Sequence, residues 1–214
     1  WARQAAELVD WATPWDTILD WQLPDARWFV GGQLNVAHNC LDRHVLAGKG
    51  DKVAIHWEGE PGDTRTITYQ QLLDEVSQFA NVLTGLGVQR GDRVNIYLPM
   101  VPEAAVAMLA CARIGAIHSV VFGGFAANEL ASRIDDARPA AVVSASCGIE
   151  GERIIEYKPL LDRALELAEH APKRTVGFPG HRECASVDRR RDAAVSRETP
   201  GRSFRSRSPC LPGP

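Results

Sequence analysis

The 214 residues carry a formal net charge of −3, with 45% hydrophobic and 24% charged side chains, the make-up of one or two globular domains rather than of a disordered or fibrous chain. That balance offers no basic footprint for nucleic acid or for an acidic membrane surface, so neither partner is expected. Apolar stretches break at charge or glycine before the ~18 residues of a membrane span, and the first residues lack a signal-peptide pattern, so a cytoplasmic protein is expected.

Along the chain, Trp1, Ala5, Leu8 and Ala12 share one helical face and Thr13-Pro14 stops it, which predicts a short amphipathic helix. Residues 15 to 50 read as an irregular, turn-rich segment whose Trp15, Trp21, Trp28 and Phe29 anchor it over a larger body. From residue 53 the pattern changes to a hairpin, with strands at 53–57 and 65–68 around a turn at 58–63. Thr68 and Gln71 then form a capping-box signature. Behind it Tyr69, Leu72, Val76, Phe79, Leu83 and Leu86 recur at helical spacing until Gly85 and Gly87.

A strand is predicted over 93–98, followed by a helix that opens at Pro102 and closes at Gly115. Residues 116–122 are nearly continuously apolar, the pattern of a strand buried on both faces. A Gly123-Gly124-Phe125 loop, a helix carrying Leu130 and Ile134, a strand over 140–145 and a helix over 156–170 complete the alternation. Strands separated by helices in this way imply βαβ units, hence an α/β fold with an incomplete, parallel, doubly wound sheet. Residues 177–214 are rich in arginine, proline and serine, contain no lysine, and show no periodic apolar face, so a disordered tail is expected there.

Cysteines at 40, 111, 147, 184 and 210 include no C-x-x-C pair and read as reduced thiols. His38, Cys40 and His44 come nearest to a metal-ligand set but have no second pair, so no metal site is expected.

Two loops stand where ligands bind an open α/β sheet, at the carboxyl ends of its strands. In Phe122-Gly123-Gly124-Phe125, adjacent glycines either make a tight turn or let backbone amides approach an anionic ligand. In Cys147 to Arg153, the Arg153 guanidinium either clamps a phosphate or stays solvated and paired with Glu150 or Glu152. No Walker A loop, nucleophile elbow or catalytic triad is present, and no catalytic residue is assigned.

The blocks Trp28 to Asn35, Asn39 to His44, Tyr97 to Glu103 and above all Ala110 to Phe125 closely resemble the acetyl-CoA and propionyl-CoA synthetases of the adenylate-forming superfamily. The resemblance runs in register to about residue 176, and Ser144 to Leu160 looks more like the propionyl-type members. It implies an incomplete N-terminal domain of that superfamily behind a helix and a covering segment. The expected division is a covering segment over 1–50, a partial AMP-binding domain over 51–176, and an out-of-frame tail over 177–214.

Members of the family activate a carboxylic acid with ATP and Mg2+ to an acyl-adenylate and pyrophosphate, then pass the acyl group to coenzyme A. The resemblance implies acetate or propionate, ATP and coenzyme A as small-molecule partners of the full-length enzyme. Phe122, Gly123 and Gly124 match the loop near the adenine end of coenzyme A, and Glu150, Gly151, Glu152 and Arg153 match the loop that meets its phosphates. Many relatives have arginine at both ends of the second loop, whereas Glu150 stands at the first position here, which weakens phosphate binding. The family's Ser/Thr/Gly-rich phosphate loop and its mobile-domain lysine have no counterpart in the 214 residues. The expectation is therefore an inactive, association-prone N-terminal part of an acid-thiol ligase; the alternative is a non-catalytic module that binds coenzyme A or a protein partner.

Overall fold

The computed structural model describes residues 1–151 and 153–178. Four strands, β5 (Arg93–Tyr97), β6 (Ile117–Val120), β7 (Ala141–Ala145) and β10 (Arg174–Phe178), form a parallel sheet in the order β10-β7-β5-β6. Non-sequential neighbours joined through helices are what a doubly wound α/β sheet requires. The two-residue period of a strand divides the core. Val94 and Ile96 of β5 with Ala141, Val143 and Ala145 of β7 face one side, packed on α2 (Tyr69–Gly85) and α3 (Pro102–Ile114). Tyr97 and Val142 face the other, with Leu130 and Ile134 of α4 (Ala127–Ala137) and Leu161 of α5 (Tyr157–Leu167).

Local chemistry sets the helix ends. Thr68 and Gln71 make both hydrogen bonds of the capping box that opens α2. Beyond its end, Gly87 takes φ +89° and the Val88 amide donates to the Leu83 carbonyl at 3.0 Å, closing the helix in a Schellman turn that favours glycine. Pro102 sits at the first turn of α3, and Gly115 at φ +74° ends it in the same way.

Several expectations need correction. Residues 15–50 are not irregular: β1 (Thr17–Gln22) and β2 (Asp25–Val30) pair antiparallel, and wide helical turns span His38–Asp42 and Val45–Lys49. Ahead of the first of these turns, Asn35 Oδ1 accepts the His38 amide at 3.1 Å while its Nδ2 donates to the Ala112 and Arg113 carbonyls, both at 3.1 Å. The Trp-rich stretch anchors largely to itself, since Trp11, Trp15 and Phe29 pack with ring centroids 4.9–5.4 Å apart and Trp21 is exposed. The first helix, α1, covers only Ala2–Leu8 and buries nothing.

The strand expected to be buried on both faces, β6, is instead the exposed edge of the sheet: Ile117 is 56% and Val120 55% accessible. Its apolar run suits a central strand, but no described strand pairs with its outer side. The segment from Cys147 to Arg153 is not a loop. It belongs to an antiparallel hairpin of β8 (Cys147–Glu150) and β9 (Arg153–Glu156) that turns at Gly151.

Strand β10 was not expected at all and takes in Gly177 and Phe178, two residues assigned to the tail; residues 179–214 of that expected tail lie outside the described residues, as does Glu152. Cys147 is disulfide-bonded, against the expectation of five reduced thiols, whereas Cys40 and Cys111 are free. Among the described residues no helix is long and apolar enough to cross a membrane.

Candidate functional site

The parallel sheet brings the carboxyl ends of β5, β6 and β7 to one edge, and every sequence-predicted site residue follows one of those ends. Leu98 and Pro99 follow β5, Phe122 to Phe125 follow β6, and the β8–β9 hairpin follows β7. A second hairpin, β3 (Val53–Glu58) paired with β4 (Thr64–Thr68), reaches the same edge. There the Trp57 indole donates to the Met100 carbonyl at 2.8 Å.

One side chain unites the two candidate segments. Tyr157, buried at the start of α5, places its hydroxyl against Gly123, where a Cβ would collide with it and stand 3.1 Å from the Leu98 carbonyl. The same ring backs the hairpin, since a Cβ on Gly148 would lie 2.9 Å from Tyr157 Cε2 and 3.0 Å from Pro99 Cβ. Both glycines are thus required by close packing rather than by backbone dihedral. Gly124 is crowded by the Phe122 ring, 2.6 Å from a built Cβ.

Tyr157 stacks beside Tyr97 with ring centroids 4.9 Å apart. The Tyr97 hydroxyl donates to the Phe125 carbonyl at 2.8 Å, pinning the far end of the glycine loop. Burial pushes the Tyr97 phenol up to about 12, with the Tyr157 phenol adding to it. Burial also raises Tyr157, and the negative charge of Glu150 raises it further. Both phenols therefore stay neutral donors at physiological pH.

Phe122 itself is 67% accessible and touches Phe125 edge-on at 5.6 Å between centroids, leaving a flat aromatic surface open to solvent. At the hairpin turn Gly151 adopts φ +58° with open space around its Cα. Its amide donates to the Glu60 carboxylate, carried across by the turn between β3 and β4. Glu150 and Arg153 face each other in register at the turn, both exposed, and Arg153 has no ion pair among the described residues. The arrangement places an aromatic face, a backbone amide paired with a carboxylate and a guanidinium that has no ion pair among the described residues at the carboxyl-end edge of the sheet. Sequence reasoning missed Tyr157 and Glu60, whose contacts join residues 34 and 91 apart in the chain; no local pattern announces such pairs.

Comparison with known proteins defines the class. Residues 41–200 match the family model described as AMP-binding enzyme, and residues 1–40 match the acetyl-coenzyme A synthetase N-terminus. The chain belongs to the AMP-binding enzyme family and opens with the N-terminal segment of its acetyl-coenzyme A synthetases. It is 58% identical over 177 residues to the acetyl-coenzyme A synthetase of Streptomyces avermitilis, covering 82% of this chain and 27% of that protein. It is likewise 58% identical over 169 residues to the Streptomyces coelicolor enzyme of the same name, covering 78% and 26%. The Rubrobacter xylanophilus acetyl-coenzyme A synthetase is 54% identical over 167 residues, covering 78% and 26%. The chain thus spans about a quarter of the length of these relatives. The two family models meet between residues 40 and 41.

Proposed function

We propose that this chain supplies the coenzyme A-receiving edge of an AMP-forming short-chain acyl-CoA synthetase. The observation that carries the reading is the packing of Gly123, in the loop after β6, and of Gly148, in the β8–β9 hairpin, against the one Tyr157 ring at the carboxyl ends of the sheet strands. In the parent enzyme, acetate or propionate reacts with ATP, in the presence of Mg2+, to give an acyl-adenylate and pyrophosphate. The thiol of coenzyme A then displaces AMP. Within this chain, the exposed Phe122 ring suits an adenine face. Arg153 and the Gly151 amide suit phosphate oxygens.

On this reading the chain alone binds coenzyme A without turnover. Equilibrium dialysis with labelled coenzyme A tests the site: Phe122→Ala and Arg153→Ala each weaken binding about fivefold to twentyfold. Binding left unchanged in both variants overturns the assignment. Pyrophosphate release from acetate or propionate and ATP is expected to be absent, and its detection overturns the statement that the chain alone is inactive.

A further inference from the structure

We infer that Glu60 sets the affinity of this edge for phosphate-bearing ligands by acting as a built-in competitor for the Gly151 amide. This inference deepens the coenzyme A reading and rests on it for the identity of the ligand. Its own basis is geometric. The turn between β3 and β4 is shaped by the Gly59 amide donating to the Asp63 carbonyl at 2.8 Å and the Gly62 amide donating to the Gly59 carbonyl at 2.9 Å. This turn puts Glu60 at its tip, where the carboxylate accepts the Gly151 N–H.

Glu60 has no cation paired with it among the described residues, and neither does Arg153, two positions beyond Gly151. A carboxylate that takes the backbone amide of a hairpin turn occupies the place that a phosphate oxygen takes at an amide-donating turn. Gly151 has φ +58° and nothing within 4 Å of a built Cβ, so the turn is open to a larger anion once Glu60 swings away. An incoming phosphate must displace the carboxylate and also meets the negative field of Glu60 and Glu150. Glu60 thereby lowers the affinity of this edge for anionic ligands.

The test uses the whole chain as wild type, Glu60→Gln and Glu60→Ala, with coenzyme A and inorganic pyrophosphate as probes. Glu60 is exposed, and circular dichroism confirms that the variants keep the fold. Dialysis is expected to show coenzyme A bound about threefold to tenfold more tightly by Glu60→Gln, which keeps an acceptor but loses the charge, and at least as tightly by Glu60→Ala. Hydrogen exchange of the peptide spanning Gly151 is expected to speed up in Glu60→Ala and to slow again when pyrophosphate is added. Equal or weaker binding in both variants, with no change in exchange, overturns the inference while leaving the coenzyme A site in place. If no form binds coenzyme A but pyrophosphate still protects Gly151 in Glu60→Ala, the inference stands and the coenzyme A reading falls. Absence of both effects overturns both.

Discussion

The Tyr157 hydroxyl occupies the space that any Cβ at residue 123 would fill. Gly123→Ala therefore forces either the tyrosine or the glycine loop to shift. The expected cost is about 1–3 kcal/mol, the usual range for overpacking a dense site. Removing the hydroxyl relieves only part of the clash, because Tyr157 Cζ and the Leu98 carbonyl both remain 3.1 Å from the new carbon. In a Tyr157→Phe background the alanine is thus expected to cost about half as much. Denaturant midpoints over the four-member cycle read this directly, and an equal cost in both backgrounds shows that the contact is not the cause.

A second prediction concerns the sheet interior. Asn95 is fully buried in β5, and its amide nitrogen reaches the Arg133 carbonyl only at 3.4 Å. Among the described residues its Oδ1 has no partner. A buried acceptor without a donor costs about 1–3 kcal/mol, whereas the long bond on the nitrogen side returns little. Asn95→Val keeps the volume close, suits a strand and removes the orphan oxygen. It is expected to raise stability by about 1 kcal/mol, seen as a higher thermal midpoint. A lower midpoint means that the oxygen is satisfied in solution.

What the sequence disclosed and what it hid divide along a physical line. The capping box at Thr68 and Gln71, the first-turn proline of α3 and the alternation of strands and helices depend on neighbours within a few residues, and all three were legible. Strand β6 misled because an apolar run reports what a strand can tolerate, not which strands flank it. The β8–β9 hairpin was hidden by strands of four residues each, too short to display alternation. At the site, the glycines at 123 and 124 and the arginine at 153 stood out by their place after sheet strands, with turn and ligand readings both open until the resemblance to a family favoured the second. Tyr157 and Glu60 were invisible because their roles arise from contacts that only the folded topology creates.

Alkaline pH provides a third prediction. Burial raises the Tyr97 phenol from 10.0 to about 12. Between those values the unfolded chain has released the proton that the folded chain retains, so fewer protons are bound in the unfolded state and stability falls as pH rises. Tyr97 accounts for a loss of about 2–3 kcal/mol across that window. The Cys111 thiol, raised by burial to about 12, acts in the same direction. Tyr97→Phe is expected to flatten the alkaline limb of a urea-midpoint profile. Near neutral pH the variant is about 1 kcal/mol less stable, because it loses the bond to the Phe125 carbonyl. Parallel profiles for both proteins refute a shifted phenol.

The fourth prediction follows from β6. This strand forms the open edge of the described sheet. Ile117, Val120 and Phe122 are each more than half accessible along it, and Met100 is 90% accessible beside the neighbouring strand end. An edge that offers both unpaired backbone groups and apolar side chains is a template for strand addition, and contiguous apolar surface drives association in water. The 214-residue chain is therefore expected to form polydisperse oligomers by size-exclusion chromatography with light scattering. Deleting 179–214 is expected to leave that distribution unchanged, because β6 lies elsewhere. Placing lysine at both 117 and 120 charges the edge and is expected to shift the population toward monomer. A monodisperse wild-type monomer with a sharp thermal transition shows that the edge is already covered. If instead the deletion alone gives monomer, the sticky surface belongs to residues 179–214 and not to β6.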